Sequence, residues 1–365
     1  MMLKNIGVSL FSVLFFWNSN VWAGDIDILK KEADKLKELV SDKNIVVKID
    51  YKEPMRVGYY DASVAQLRDR LVDEGYGAID EVDPYLYDEY LAAAVSFYQE
   101  DRGLVADGVA GLSTISSLND SNYVRYEKLM RSISELQRVD FSNGKKIIIV
   151  NIPTFNLRAY DGDEVFIDSK VIVGKKTRQT PVIKTKLTQL KINPDWTVPT
   201  SILKKDYFYK IKEFEKYNME HRGYYIADKD GGVVDFNQVA MESFDSFVSN
   251  GYRLKQSAGD GNALGRVKFV LSNSDAIYLH DTNNRKLFNS NKRDLSSGCI
   301  RVENYMELAS WSYGGYISDI EEKISSGKTL YLNTKDTDVY LMYLPAFIVN
   351  GKIKYSEDIY GLFNG

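Results

Sequence analysis

The sequence predicts an α+β fold, in which a small N-terminal helical bundle precedes a mainly antiparallel β domain that carries an insertion. Apolar residues recur at helical spacing as far as about residue 140. From Lys146 onward, short β-branched runs alternate with Asp-Gly and similar turns, a pattern typical of antiparallel strands. A less regular segment, 201–265, interrupts those strands. The chain has 365 residues, 44% of them hydrophobic, which suffices for two or three domains with their own cores.

Residues 1–23 have the pattern of a secretory signal peptide. Lys4 supplies a positive charge, Ile6–Trp17 is an apolar run, and Val21–Ala23 is a small-residue cleavage site. The apolar run is too short to cross a bilayer, and no later segment is long enough to do so. We therefore expect an exported chain that begins near Gly24 and keeps no stable membrane span.

The helical part divides into three segments. Residues 24–54 are predicted as an N-terminal helical segment, in which Ile26–Ser41 is amphipathic. Residues 55–120 contain two helical passes, a turn and a short helix at Ser113–Leu118, which together favour a small bundle. Residues 121–145 are predicted as a helical linker.

The β part is predicted to occupy residues 146–345, followed by a C-terminal tail at 346–365. Its β-branched runs alternate with turn residues, which is how antiparallel strands are joined. The strands are expected at Lys146–Asn151, Asn156–Tyr160, Val165–Ile167, Lys170–Gly174 and Val267–Leu271.

Charge and composition exclude several classes of partner. The formal net charge is −4, from 47 basic and 51 acidic residues, and no Arg-rich tract favours nucleic acid. The 26 tyrosines suit sugar and peptide surfaces, although many will pack in cores. His221 has no cysteine or acidic cluster at ligand spacing, so no metal site is expected there, and no cofactor is implied.

Cys299 and His280 are the candidate catalytic pair. Cys299 is the only cysteine, so it cannot form an internal disulfide, and in an oxidising compartment its thiol is either buried or kept for chemistry. An imidazole within hydrogen-bond reach can take the thiol proton and produce the nucleophilic thiolate. Asn304 and Glu307 have capping-box spacing, which predicts that a helix opens at Asn304. Cys299 would then lie just before a helix N-terminus, a location that lowers the pKa of a thiol. The alternative is a buried apolar cysteine and a histidine that merely ends a strand.

Neighbouring residues complete the candidate site. The backbone N–H groups of Gly298 and Cys299 could form an oxyanion hole. Arg301 could pair with a substrate carboxylate or fix the loop, since a guanidinium does not titrate. Tyr278 would line the same cleft or simply pack. The sequence does not identify an acidic residue that must orient the imidazole, although the Asp281 side chain is one candidate.

The spacing around this pair resembles the signature of the L,D-transpeptidase (YkuD-type) family. His280 begins the motif His280-Asp281-Thr282, and fifteen residues, 281–295, lie between His280 and Ser296. The second motif is Ser296-Ser297-Gly298-Cys299-Ile300-Arg301. The strand order from Lys146, with Val173-Gly174, Thr180-Pro181 and Asn193–Pro199, is similar to the start of that family's catalytic domain. The insertion at 201–265, followed by Lys268-Phe269, resembles the lid of the YcbB-like branch, which caps the active site.

This resemblance implies roles for the site residues. Cys299 is implied as the nucleophile and His280 as the base, and the backbone carbonyl of Asp281 is implied as the group that orients the ring. Ser296 and Ser297 are assigned to the substrate-binding side of the loop. Ser297 stands where most of the family has a second histidine, a departure that the YcbB-like branch shares.

The helical segment also resembles a known module, the peptidoglycan-binding domain. The matching positions are Tyr98-Gln99, Gly103-Leu104, Asp107-Gly108-Val109, Gly111 and Thr114, with Tyr98 where the family usually has Phe. The alternative is that these residues only form turns and core, so that the motif defines the fold and not a ligand site.

Together the two resemblances imply a cysteine-dependent L,D-transpeptidase of the periplasm. Its substrate would be a peptidoglycan tetrapeptide stem, its products D-Ala and a 3-3 crosslink, its ligands stem peptides and glycan, and its expected inhibitors carbapenem-type compounds. The alternatives are an L,D-carboxypeptidase at the same site, a non-catalytic cell-wall binding protein, or an unrelated cysteine peptidase. The last would not explain the helical module or the strand order.

Overall fold

A computed structural model describes residues 21–40, 48–77, 83–141, 145–162, 164–213, 216–239 and 243–363. Residues 1–20 of the expected signal peptide lie outside this part of the chain. Among the helices that it contains, none is long and apolar enough to cross a membrane.

The N-terminal part consists of five helices: α1 Val21–Val40, α2 Ala62–Asp73, α3 Glu89–Arg102, α4 Leu112–Leu118 and α5 Asn122–Leu136. Three of them begin at a polar residue whose side chain accepts a hydrogen bond from a backbone N–H of the first turn, namely Asp61, Asp88 and Ser121. Helix α3 ends at Gly103, which adopts a left-handed conformation. Apolar side chains of α2, α3 and α4 form a core of their own.

The motif of the helical module is occupied by internal hydrogen bonds. The Gln99 side chain, only 2% exposed, donates to Asp107 Oδ1 at 3.1 Å, to Val109 O at 2.9 Å and to Thr114 Oγ1 at 2.9 Å. Its carbonyl oxygen accepts from Gly108 N at 2.9 Å. Because these bonds tie the turn to α3, the motif residues serve the fold of the module and leave no polar atom of Gln99 for a ligand.

The β domain opens with four strands: β1 Lys146–Asn151, β2 Asn156–Asp161, β3 Glu164–Gly174 and β4 Ile183–Ile192. The insertion follows, with β5 Trp196–Thr197, α6 Thr200–Ile202, a π-helical turn Leu203–Tyr207, α7 Phe208–Glu213, α8 Lys216–His221, β6 Tyr224–Ala227, β7 Val233–Val234, α9 Phe244–Ser249 and β8 Arg253–Gln256. The remaining elements are β9 Val267–Leu271, β10 Leu279–His280, a 3-10 turn Arg285–Asn289, β11 Asp294–Ser296, β12 Ile300–Val302, α10 Tyr305–Tyr313, α11 Ile317–Ser325, β13 Leu330–Met342, β14 Ala346–Val349 and β15 Lys352–Tyr355.

Nine strands form the main sheet in the order β11-β3-β12-β10-β9-β4-β13-β1-β2, and β2 also pairs with β3, so the sheet curves round on itself. Most neighbours are antiparallel, as predicted, but β1 and β13, β10 and β12, and β11 and β3 are parallel. The fold is therefore α+β with a mainly antiparallel main sheet.

Helices cover both faces of this sheet. Ile148 and Val150 of β1 face a core that includes residues of α10 and α11. Ile147 and Ile149 alternate to the other face and pack against α1 and α5. Residues 121–145 were predicted as a linker, but through α5 they contribute a packed layer to the β domain.

The C-terminal residues 346–355 form a hairpin of β14 and β15 where the sequence suggested a tail. Its first strand is joined to α5, since Ala346 N donates to Ser132 Oγ at 2.9 Å. Its second strand is joined to α3, since Lys352 pairs with Asp101 at 2.8 Å. The hairpin therefore connects the helical module to α5, which packs on the main sheet.

The insertion folds as a separate small layer. Its four strands pair in the order β5-β8-β6-β7 and enclose a core that includes Trp196, Phe208, Tyr224 and Phe247. Tyr278, which directly precedes β10, packs against this core. The insertion thus contacts the segment that carries the candidate site.

Candidate active site

Strand pairing brings the predicted site residues onto one face of the sheet. Leu279 lies opposite Phe269 and Ile300, and all three are fully buried in the core. Side chains alternate along a strand, so the residues on either side of Leu279 and Ile300 face the opposite way. Tyr278 and His280 of one segment, and Cys299 and Arg301 of the next, therefore share the face that looks away from that core.

His280 is held as a neutral base. Its ring is 5% exposed, and Nδ1 lies 2.5 Å from the backbone oxygen of Asp281. A carbonyl only accepts hydrogen bonds, so Nδ1 carries the proton and Nε2 is free of one. Burial, with the nearby charges of Arg301 and Lys268, lowers the pKa of His280 to about 3. At neutral pH the ring is therefore unprotonated at Nε2, which is the atom that could accept a proton.

The Asp281 carboxylate is directed elsewhere. It accepts a hydrogen bond from Arg266 N at 2.8 Å and pairs with Arg285 at 2.9 Å, and the residue is 1% exposed. Of the two possible orienting groups, the carbonyl and not the side chain contacts the ring of His280. The carboxylate anchors the start of β9 instead.

The loop before Cys299 is fixed by a chain of hydrogen bonds. Ser296 Oγ donates to Cys299 O at 2.6 Å and accepts from Gly298 N at 3.1 Å. Thr180 Oγ1 donates to Gly298 O at 2.7 Å. Gly298 has φ 119°, a conformation that residues with a Cβ rarely adopt, so a glycine is needed for this turn.

Two expectations for this loop need correction. Ser296 is 3% exposed and its hydroxyl is engaged within the loop, so it supports the turn and does not face a substrate. The N–H of Gly298 donates to that same hydroxyl, so in this conformation Gly298 and Cys299 do not present two open oxyanion donors. The tight turn itself consumes one of the two groups.

Cys299 lacks the activation that was expected from a helix. Strand β12 separates it from α10, which begins only at Tyr305, and the Asn304 side chain makes no capping hydrogen bond. Burial raises the pKa of the Cys299 thiol, although hydrogen bonds from Tyr278 and the charges of Lys268 and Arg301 oppose this. The resting group is therefore a thiol, which needs a base.

Tyr278 and Arg301 complete the face. The Tyr278 ring lies 5.6 Å from that of His280, centroid to centroid, and is half-buried against the insertion. Arg301 is half-buried, and within the described chain its buried Nε has no hydrogen-bond partner. Both side chains border the thiol.

Ser297 is exposed and forms part of a contact between the loop and the insertion. Arg178 Nη1 donates to Ser297 Oγ at 2.8 Å, and the same guanidinium donates to both Asp206 oxygens, at 2.5 and 2.8 Å. Arg178 and Asp206 were not predicted from the sequence, because their pairing across 28 positions leaves no local pattern. Thr180 was noted only as part of the family resemblance, without a role in this loop. In the described residues, no group of three His, Cys, Asp or Glu side chains could hold a metal ion.

Residues 145–338 match the profile of the L,D-transpeptidase catalytic domain (YkuD), which covers more than half of the chain. The chain belongs to the L,D-transpeptidase catalytic-domain family. Residues 60–118 match a domain provisionally described as peptidoglycan-binding.

Individual L,D-transpeptidases are similar to this chain to different degrees. A curated Haemophilus influenzae protein, provisionally named an L,D-transpeptidase, is 41% identical over 240 residues, which are 64% of this chain and 48% of the relative. The chain thus spans about half the length of that relative. A solved L,D-transpeptidase from Stackebrandtia nassauensis is 13% identical, covers 81% of this chain and 96% of its own, and has a TM-score of 0.25. The L,D-transpeptidase LdtMt1, solved in complex with imipenem, is 11% identical, covers 54% of this chain and 58% of its own, and has a TM-score of 0.24. These scores are too low to argue from, so the assignment rests on the sequence profile.

Proposed function

We propose that the chain is a cysteine-dependent L,D-transpeptidase of peptidoglycan. The single observation that carries the proposal is the neutral imidazole of His280, which the Asp281 carbonyl orients on the same face as Cys299. A half-buried thiol with a raised pKa is a poor nucleophile unless such a base takes its proton as it attacks.

The proposed reaction has two halves. Cys299 Sγ attacks the carbonyl that precedes the terminal D-Ala of a tetrapeptide stem, while its proton passes to His280 Nε2. The tetrahedral intermediate collapses, the C–N bond breaks, and D-Ala leaves with the proton from His280. An amine of another stem then attacks the thioester carbonyl and gives its proton to the same nitrogen. The C–S bond breaks and the departing thiolate of Cys299 takes that proton back from His280, so that the thiol and the neutral imidazole are restored and a 3-3 crosslink is formed.

A thioester suits an exported enzyme that has no ATP. The energy of the broken amide is conserved in the acyl-enzyme until the second amine arrives. If water arrives first, the same site acts as an L,D-carboxypeptidase. The insertion supports transfer over hydrolysis, because it packs on Tyr278 and is joined to the nucleophile loop through Arg178, Asp206 and Ser297. This arrangement also fits the YcbB-like branch with its lid.

Export to the periplasm belongs to this proposal, since the substrate lies outside the cytoplasm. It rests on the signal-like pattern of residues 1–23. Binding of glycan by the helical module is also proposed on family grounds, although the motif residues around Gln99 are engaged in the fold. A carbapenem is expected to acylate Cys299.

The test is mass spectrometry of the full chain incubated with a disaccharide-tetrapeptide, with Cys299→Ser as the matched control. A dimer joined through two third-position residues, with D-Ala released by the wild type alone, is the expected result. Tripeptide without dimer would identify a carboxypeptidase. No product, together with no carbapenem adduct on Cys299, would overturn the proposal and favour a non-catalytic wall-binding protein.

A further inference from the structure

A row of basic side chains crosses the sheet beside the thiol. The strand registers align Lys191 of β4 with Lys268 of β9, Lys268 with His280 of β10, and His280 with Arg301 of β12. Paired residues in neighbouring strands point to the same face. His280 therefore lies between two cations, and Cys299 is two residues from Arg301 on that face.

The first cation of the row is neutralised by the protein. Lys191 pairs with Asp195, which also pairs with Lys255 at 3.0 Å. This carboxylate is therefore shared by two lysines and leaves little negative charge for a third. Asp195 therefore does not neutralise the other two cations of the row, Lys268 and Arg301.

Lys268 and Arg301 have no such compensation. Among the described residues neither side chain forms an ion pair, and Asp195, which acts on Lys268 only from a longer distance, is already paired with two other lysines. The Lys268 ammonium lies 3.7 Å from the ring centroid of Tyr278. The Nε atom of Arg301 is buried without a hydrogen bond. Burial lowers the pKa of both groups, which records the free-energy cost of holding these charges partly out of water.

The Cys299 thiol does not supply a negative charge to these cations in the resting protein. Its pKa is raised, so Cys299 is uncharged, and the ring of His280 is neutral as well. Two half-buried cations thus flank a reaction centre that contains no resting anion. An anionic ligand would offset the cost of burying them.

We propose that Lys268 and Arg301 form a carboxylate-binding subsite beside Cys299, with Lys268 as its specificity-determining member. The inference rests on the proposed function and names what the site recognises in the donor. A tetrapeptide stem offers a carboxylate on its terminal D-Ala and, where the third-position residue is a diamino dicarboxylic acid, a second one on that residue's side chain. Both have the chemistry that an ammonium and a guanidinium bind.

The first experiment does not depend on turnover. Cys299 is the only cysteine, so its alkylation by iodoacetate and by neutral iodoacetamide can be followed on the full chain by mass spectrometry at 150 mM salt. The ratio of the two rates, normalised to that of N-acetylcysteine, reports attraction of a carboxylate and cancels differences in thiol ionisation. Lys268→Gln should lower this ratio about 10-fold, because a half-buried charge is only partly screened.

Matched variants separate a local site from a general field. Lys268→Arg should keep most of the ratio. Lys186→Gln, which removes an exposed lysine paired with Asp336 on the same sheet, should leave it unchanged. An unchanged ratio in Lys268→Gln, or an equal fall in Lys186→Gln, would overturn the subsite.

The second experiment identifies the carboxylate. We expect Lys268→Gln to raise KM for a tetrapeptide about 10-fold with a smaller change in kcat, and amidation of the bound carboxylate in the substrate to abolish this difference. Stems amidated at the terminal residue or at the third-position side chain distinguish the two sources. If neither amidation abolishes the difference, the donor assignment is wrong. If the wild type turns over no tetrapeptide, the proposed function fails while the alkylation ratio still decides the subsite.

Discussion

His280 should make the free energy of unfolding depend on pH in a way that one substitution removes. The folded protein holds its imidazole neutral, with a pKa of about 3 against an ordinary 6.5. In the unfolded chain the same ring takes up a proton below pH 6.5. Because the unfolded state binds more protons between these values, the stabilisation is complete above pH 6.5 and is lost as the pH falls towards 3.

The magnitude follows from the two pKa values. Each pH unit in this window is worth about 1.4 kcal/mol, so a fall from pH 6.5 to 4.5 should cost the wild type between about 2 and 3 kcal/mol through His280. His280→Gln removes the titrating ring. Carboxylates that titrate in the same window remain in both proteins, so their contribution cancels in the comparison.

The assay is urea unfolding of the wild type and His280→Gln at pH 7.5 and 4.5, followed by tryptophan fluorescence. The wild type should lose between about 2 and 3 kcal/mol more than the variant across this interval. His221→Gln, which removes the only other histidine, is the matched control and should behave as the wild type does. Equal losses in the wild type and His280→Gln would refute the neutral buried imidazole.

Three further substitutions test the geometry around the site. Gly265→Ala should lower Tm by several degrees in a thermal melt, because the new Cβ would lie 2.2 Å from Asp281 Oδ2 at φ +61°, and an unchanged Tm would contradict that packing. Asp206→Asn weakens the pair with Arg178, so we expect a several-fold higher ratio of hydrolysed to transferred product, and a ratio equal to that of the wild type would remove the insertion from the control of water. Gly298→Ala should cost about 1–3 kcal/mol at φ 119° and slow carbapenem acylation of Cys299, while acylation at the wild-type rate would show that the turn tolerates a Cβ.

The candidate pair could be predicted from sequence because its pattern is local. Ser296, Gly298 and Cys299 lie within one turn, and β10, which carries His280, is a short strand that precedes the turn by a fixed interval. The boundary between helices and strands near Lys146 could also be predicted from the sequence, because the spacing of apolar residues changes there from a helical to a strand pattern. Both patterns can be recognised from neighbouring residues alone, without knowledge of the tertiary structure.

What the sequence concealed depends on contacts between distant segments. The capping-box spacing at Asn304 correctly predicted where α10 begins, but not that residues 300–302 pair with β3 and β10 as a strand. This strand separates Cys299 from the helix, and it depends on pairing with distant segments. Lys268 likewise acquires its position from the register of β9 against β10, which no spacing along the chain reveals.

In the proposed mechanism, the hydrogen bond from His280 to a main-chain oxygen means that the group which orients the base has no side chain to mutate. Every residue offers a carbonyl, so substitutions at Asp281 cannot delete the acceptor, whereas they do break the pairing with Arg266 and Arg285. Under that mechanism, an alanine scan should find Cys299 and His280 essential, and a loss of activity at position 281 would be attributed to the carboxylate although the carbonyl is the orienting group. Replacing the amide that follows Asp281 with an ester would weaken that carbonyl as an acceptor and leave the carboxylate in place.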